Sequence, residues 1–421
     1  MFASLSITRS LATVSDISNL QFSNFNQQNA YLKLKTGQVF SGTSFGAPIP
    51  KSGEAVFTTS TVGYPESLTD PSYRGQILVF TQPLIGNYGV PPQEQDIYKL
   101  LKYFESDKIQ VQGIIVNDYA TKYSHWNAVQ SLSQWCVQQG VPAISGIDTR
   151  AVVHLLRNQG STLGCIDFNL NSTPEFNDPN QRNLVDEVST KEPYQVGLDG
   201  SDVHIGVIDC GIKHNILRSI ISKGAKATVL PWNYDVAKNA HKFDGLFISN
   251  GPGNPTHCSP LVNNMKQVFE TYNKPIFGIC MGNQIIGMAA GLNIAKMQYG
   301  NRGHNQPAVH LESGKCYITS QNHGYALNDQ NMPQSWSKYF QNANDGSNEG
   351  IKHNSLPISS VQFHPEAKGG PEDTLFLFDK FLANVRTHKF ANSSILKGVR
   401  QQQKVHIPLE NTTVNQSQLH A

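Results

Sequence analysis

The run Phe277-Gly278-Ile279-Cys280-Met281-Gly282 carries the strongest chemical signal in the chain. An apolar stretch meets a cysteine with a glycine two positions away on either side, and a helical pattern follows. Glycines there permit a sharp, strained turn that pushes a nucleophilic side chain out of a sheet, as in the serine nucleophile elbow. A cysteine at the head of a helix meets free backbone N–H groups and the positive end of the dipole, which favour the reactive thiolate. The plainer reading, a small buried core residue, fits most free cysteines; the elbow context favours the nucleophile. A base and an orienting group are then required. Ser360-Val361-Gln362-Phe363-His364-Pro365-Glu366 supplies both. An alternating strand ends at His364, proline stops it, and Glu366 follows closely enough to hold the imidazole in one tautomer. His304, His310, His323 and His353 lack a following carboxylate in a proline-locked turn. In Ser249-Asn250-Gly251-Pro252-Gly253-Asn254-Pro255, two glycines let the backbone approach a ligand. Their N–H groups would form one wall of an oxyanion hole, with the Met281 N–H as the other. The loop lacks the GK[ST] ending of a phosphate cradle, and no Walker-type loop occurs in the chain.

Two different element patterns must position these groups. Tyr31–Lys35, Gln38–Phe45, Glu54–Ser60, Gly75–Pro83 and Gly113–Val116 read as short strands. Ile97–Phe104, Asn127–Gln139 and Thr149–Asn158 read as helices. This gives a β-rich mixed unit over residues 29–170. Residues 171–202, rich in Asn, Pro, Asp, Gly and Ser, read as a linker. From 203 to 388 strands alternate with helices, which implies a parallel sheet wrapped on both faces. Ligand sites in such sheets lie beyond the C-terminal strand ends, where the Ser249–Gly253 loop and Cys280 fall. Residues 389–421 lose the period and fill with Gln, Asn and Ser, a composition expected to be poorly ordered.

Composition narrows the function. The net charge of +2 over 421 residues argues against a nucleic-acid binder and an acidic tail. Only 15% of residues are charged and 38% are hydrophobic, so a sizeable core is feasible. No run of about 18 apolar residues exists to form a membrane-spanning helix. The six cysteines show no CxxC pair, which argues against a disulfide scaffold or structural zinc and fits a reducing compartment. Residues 1–28 are rich in Ser, Thr and Ala, with Arg9 as the one base of the first fifteen and Asp16 as the first acid. They resemble an organelle transit peptide, which places the protein in the mitochondrial matrix; the alternative is an untargeted tail on a cytoplasmic protein.

The glycine loop, the elbow and the His-Pro-Glu end, in that order over about residues 204–385, resemble the class I glutamine amidotransferase domain. The first half resembles the N-terminal domain of carbamoyl-phosphate synthase small chains. The likeness is carried by Phe57-Thr58-Thr59-Ser60, Gly63-Tyr64-Pro65-Glu66, Thr69-Asp70-Pro71-Ser72-Tyr73 and Pro83-Leu84-Ile85-Gly86-Asn87-Tyr88-Gly89. It continues in Ser124-His125-Trp126 and Gly146-Ile147-Asp148-Thr149-Arg150. The match is closest to the glutamine-dependent, arginine-specific eukaryotic type. Its departures are Met281 for the family's leucine and Asn283 for a histidine outside the family triad. Asn283 reads as helix-face variation.

The resemblance implies that Cys280 attacks the glutamine amide carbon, His364 moves protons and Glu366 orients His364. Glutamine is then held by Ser72, Gly251, Gly253, Met281, Gln284, Asn322, Gly324 and Tyr325. Because Ser72 belongs to the first unit, the pocket should lie at the domain junction. Ammonia would pass to a large subunit, in a heterodimer or higher assembly, that uses ATP, Mg and bicarbonate to make carbamoyl phosphate. This chain itself would need no cofactor or metal. Three other readings stay open: an amidotransferase serving another synthetase, a catalytically silent regulatory chain, and a cysteine hydrolase of the same α/β type. The N-terminal motifs, the complete Cys280–His364–Glu366 set, and Gln284 with Asn322 argue against these in turn.

Overall fold

The computed structural model describes residues 28–391. The transit peptide and most of the C-terminal tail expected above lie outside the described residues.

The first domain contains β1 (Asn29–Leu34), β2 (Val39–Ser44), β3 (Lys51–Thr58), β4 (Gln76–Phe80), β5 (Leu84–Ile85), β6 (Gly113–Ile115), β7 (Asp118–Tyr119), β8 (Ala143–Ser145) and β9 (Thr162–Asp167). All but the small β5–β7 pair close into a barrel in the order β1-β2-β8-β6-β4-β3-β9. Strand β4 shows why its sequence is continuously apolar. Ile77 and Val79 enter one core with Leu32, Ile115 and Ile166. Leu78 and Phe80 enter a second core with Leu68, Val116 and Trp135. With both faces covered, no polar alternation is needed. Helices α1 (Tyr64–Thr69), α2 (Leu132–Gln138) and α3 (Thr149–Gln159) flank the barrel.

The second domain carries β10 (Tyr194–Val196), β11 (Val203–Asp209), β12 (Ala225–Pro231), β13 (Gly245–Ile248), β14 (Ile276–Ile279), β15 (Asn293–His310), β16 (Lys315–Asn328), β17 (Trp336–Asn342), β18 (Asn348–His353) and β19 (Ile358–Val361). Its helices are α4 (Leu184–Val188), α5 (His214–Ile221), α6 (Val236–Asn239), α7 (Ser259–Thr271), α8 (Met281–Ala289) and α9 (Phe376–Ala391). The strands form one sheet in the order β10-β12-β11-β13-β14-β19-β18-β17-β15-β16. The run from β12 to β19 is parallel. The expected parallel sheet is therefore the centre of a wider mixed one, with antiparallel strands on both edges.

Three local expectations change. Residues 97–104 form no helix. The Asp96 carboxylate accepts from Tyr98 N and Leu100 N at 2.8 and 3.1 Å and stops a helix from starting. Adjacent Leu100 and Leu101 then enter different cores. The helix expected over 127–139 begins only at Leu132, where Ser131 and Gln134 form a reciprocal capping box. The stretch 171–202 is not bare linker. It contains a short helical turn at Pro179–Gln181, then α4, then β10, which pairs with β12.

The β15–β16 hairpin joins the two domains. Lys296 Nζ pairs with Glu54 Oε1 of β3 at 2.8 Å. Thr59 Oγ1 donates to the Arg302 carbonyl at 3.3 Å.

Beneath the antiparallel edge, Glu349 is fully buried. Its Oε1 accepts from Asn342 Nδ2 at 2.9 Å, and its Oε2 has no partner. Burial, only partly opposed by hydrogen bonds from Asn342 and Gln321, pushes its carboxyl up to about 8. An unfolded chain releases this proton near the ordinary glutamate value, whereas the folded chain keeps it until about pH 8. Its contribution to stability is therefore full at acid pH and declines as pH rises between those values. Glu349→Gln should gain in melting temperature relative to the parent on going from about pH 5 to about pH 8, by the equivalent of a few kcal/mol. Parallel melting curves at both pH values would remove the ionisation from this account.

Candidate active site

The parallel strands β11, β13, β14 and β19 end at one edge of the sheet, and the chemically able residues gather there. Cys280 follows β14 directly and opens α8. Its backbone is strained, with φ 54° and ψ −101°, a conformation that costs a non-glycine residue about 1–3 kcal/mol. The strain falls on the cysteine and not on its flanking glycines, whose role is close packing. A β-carbon on Gly282 would lie 2.2 Å from the Ile248 carbonyl oxygen, and one on Gly278 would lie 2.8 Å from the Gly282 backbone. Helix α8 can therefore sit tightly on β13 and β14. The Cys280 N–H donates to the Val361 carbonyl at 2.8 Å, and its thiol donates to the Asn322 carbonyl at 3.7 Å.

Beyond β19, His364 N is held by the Ser320 carbonyl at 2.8 Å. Its Nδ1 meets Glu366 Oε1 at 2.7 Å. The same carboxylate oxygen accepts from Lys213 Nζ at 2.8 Å. Burial alone would lower the His364 pKa, but the charges of Glu366 and Cys280 reverse this and raise it. Burial would likewise raise Glu366, and Lys213 and His364 together hold it below the usual carboxylate range. Lys213, carried at the C-terminal end of β11, is held charged against burial by Glu366, Glu105 and Asp70. Nε2 of His364, the nitrogen free of Glu366, has no hydrogen-bond partner. It is available to a reacting group beside Cys280.

A cleft of about 430 Å³, part of it open to solvent, holds Ser72, Gly251, Gly253, Cys280, Gln284, Asn322, Gly324 and Tyr325 in its walls. Ser72 comes from the barrel domain. Its N–H is fixed by Asp70 Oδ1 at 2.8 Å, and its hydroxyl accepts from Asn250 Nδ2 at 2.9 Å. Gly253 sits at φ 81°, and a β-carbon on Gly251 would lie 2.1 Å from the Cys210 carbonyl oxygen. Gln284 Nε2 donates to the Tyr325 carbonyl at 3.0 Å. Met281, also expected to hold the substrate, is not among the cleft-wall residues, and its side chain is buried in a hydrophobic core. Asn283 lies on a buried face of α8. It is fully buried, accepts from Ser360 Oγ at 2.8 Å and donates to Gln362 Oε1 at 3.3 Å.

Sequence reasoning missed several residues here. Lys213 follows a parallel strand end, a position that could have flagged it. Asn250 stands inside the glycine loop already singled out. Glu54, Asn180 and Arg302 line the same cleft, but only the packing of the hairpin and the 171–202 segment against the barrel brings them there. Behind His364 a second polar cavity of about 400 Å³ is lined by Glu66, Asp70, Glu105, Lys213, His304 and Ser320, among others. His304 Nδ1, Ser320 Oγ and Glu105 Oε1 at this cavity have no protein partner.

With this geometry in view, the family matches agree domain by domain. Residues 206–384 match the class I glutamine amidotransferase model. Residues 32–166 match the CPSase domain of the carbamoyl-phosphate synthase small chain. Curated relatives extend the likeness across the junction. The chain is 57% identical over 371 residues to the carbamoyl phosphate synthase arginine-specific small chain of Phaeosphaeria nodorum, covering 87% of this chain and 78% of that one. The chain belongs to the carbamoyl-phosphate synthase small-chain family. Relatives of the same name from Neurospora crassa and Emericella nidulans are each 56% identical. They cover 89% and 86% of this chain and 83% and 81% of their own lengths. Within this small-chain family the domain bearing Cys280 is a glutamine amidotransferase.

Two substitutions separate the roles in the Lys213–Glu366–His364 chain. Glu366→Gln should lower glutaminase kcat less than His364→Asn, because holding a ring contributes less than moving a proton. Glu366→Gln should also lower the melting temperature, since Lys213 then lacks a carboxylate within ion-pairing distance. Breaking such a buried pair costs about 3–5 kcal/mol. His364→Asn should melt near the parent. Equal losses of kcat would undo this division.

Proposed function

We propose that this chain is the glutaminase subunit of a carbamoyl-phosphate synthase and passes ammonia to a large subunit for arginine biosynthesis. The observation that carries the reading is a strained cysteine beside His364, with a buried Glu366–Lys213 pair behind that imidazole.

In this reading the Cys280 thiol gives its proton to His364 Nε2 as its sulfur attacks the amide carbon of glutamine. The carbonyl oxygen takes up negative charge and is met by N–H groups of the Gly251–Gly253 loop and Met281. His364 gives its Nε2 proton to the amide nitrogen, the C–N bond breaks and ammonia leaves a γ-glutamyl thioester. Water then attacks the thioester while His364 takes its proton, and glutamate departs as the thiol is restored. Glu366 keeps Nδ1 protonated and stabilises the imidazolium. Ser72, Gln284, Asn322, Gly324 and Tyr325 hold the substrate. The polar cavity behind His364 is a suitable receiving space for ammonia, because its partnerless buried groups offer hydrogen bonds.

The large subunit supplies the ATP, Mg and bicarbonate chemistry, and this chain needs no cofactor of its own. The arginine-specific name of the relatives supports the pathway. The acid-poor first residues support import into the mitochondrial matrix.

The deciding measurement is glutamine hydrolysis by the purified chain, with and without the large subunit, bicarbonate and ATP. Weak hydrolysis that rises strongly with the partner is expected; hydrolysis indifferent to it would point to another acceptor. Cys280→Ser in the complex should abolish glutamine-dependent synthesis and spare ammonia-dependent synthesis. Loss of both activities would make Cys280 a structural residue.

A further inference from the structure

We infer that Glu349 is a positioning residue for the Cys280 cleft: its carboxyl proton sets the direction of a hydrogen-bond relay that ends on the cleft wall. This rests on the reading of that cleft as the place where glutamine is hydrolysed.

The relay runs along one face of β16. His323 Nδ1 meets the Tyr325 carbonyl at 2.9 Å, and its Nε2 meets Gln321 Oε1 at 2.9 Å. The same Tyr325 carbonyl accepts from Gln284 Nε2 at 3.0 Å. His323, Gln284 and Tyr325 line the cleft with Cys280. At the far end, the Gln321 amide reaches the Glu349 carboxyl of β18, whose Oε2 is otherwise without a partner. Gln321, His323 and Glu349 are all buried, so a bond lost from the relay is costly.

The supply of protons fixes the direction. Burial pushes His323 down to about 4; the Tyr325 carbonyl opposes this, and the charges of Arg302 on β15 and His364 beyond β19 add to it. The ring is therefore neutral near pH 7. A neutral imidazole has one N–H and cannot donate to Gln321 Oε1 and the Tyr325 carbonyl together. A protonated Glu349 removes the conflict. Its O–H donates to Gln321 Oε1, a half-turn of the amide lets Nε2 donate to His323 Nε2, and His323 Nδ1–H donates to the Tyr325 carbonyl. The Thr319 hydroxyl, 3.2 Å from the Gln321 amide, accepts from it or donates to it by rotating. An ionised Glu349 reverses the relay. The amide must then donate to the carboxylate, His323 carries its proton on Nε2, and a bare Nδ1 faces the Tyr325 carbonyl, lone pair against lone pair. The surroundings favour the first state. Asn342 of β17 and Gln321 of β16 are uncharged, and the charge facing Glu349, that of Asp345 in the β17–β18 turn, opposes ionisation.

The test follows glutamate release from glutamine by the complex with the large subunit, ATP and bicarbonate, from about pH 6.5 to about pH 9. In the parent, KM for glutamine should rise as pH passes about 8. The rise should be about 10-fold with kcat little changed, as for one unsatisfied buried acceptor. Glu349→Gln cannot ionise and keeps an N–H donor for Gln321. Its KM should match the parent's near neutral pH and stay low in alkali. Titration of the substrate amine and of the large subunit acts on both proteins and cancels in their KM ratio. Gln321→Met, which cuts the relay, should raise KM already near neutral pH and abolish the alkaline rise. A parent-to-variant KM ratio that stays flat with pH for Glu349→Gln overturns the inference, because a merely structural carboxyl would not move that profile. A Gln321→Met complex that keeps the parent's alkaline rise overturns it too, and decides alone if Glu349→Gln does not fold. A parent that hydrolyses glutamine while these criteria fail leaves the glutaminase reading standing. A parent that releases no glutamate overturns both.

Discussion

Three charges buried in contact set the terms for the rest of the molecule: Lys213, Glu366 and His364, joined at 2.8 and 2.7 Å. Such a group is stable only if its desolvation is offset by mutual attraction and by neighbouring polar groups. Those neighbours come from both domains. Glu105 and Asp70 of the barrel domain add negative charge around Lys213. Glu105 also accepts from the His214 and Asn215 N–H groups, through its carbonyl and its carboxylate respectively, at the start of α5. The barrel therefore belongs to the electrostatic surroundings of His364, and its docking is a condition for burying that charge.

The second constraint is steric. Cys280 holds its unfavourable backbone angles because everything around it is fixed: the Val361 carbonyl on its N–H, α8 pressed onto β13 and β14, and the β16 carbonyl at its thiol. Parallel strand ends supply the fixed points, and the glycines supply the room. The strain is thus supported by the sheet, with large aromatic side chains such as Phe247, Phe277 and Phe378 packed beneath it.

How far the sequence could be read followed the range of the interactions involved. The elbow, the glycine loop and the His-Pro-Glu end are local, and their spacing alone brought Cys280, Gly251 and His364 into view. The parallel strands and the helices between them in the second domain were legible for the same reason, whereas its antiparallel edge strands were not. The false helix at 97–104 arose because an apolar pattern outweighed one carboxylate, Asp96, that captures nearby N–H groups. The missed residues share a different cause. Glu54, Asn180 and Arg302 acquire their places through packing between distant segments, and no local pattern encodes that.

The split of the cleft between domains changes where selection on glutamine chemistry must act. A barrel is ordinarily free to drift on its surface so long as its core fills. Here one face of the barrel, at Glu54 and Ser72, forms part of the wall around Cys280. Mutations there are expected to evolve at the pace of a binding site, not of a scaffold. The barrel and the amidotransferase domain should therefore have diversified as one inherited unit, despite their separate cores.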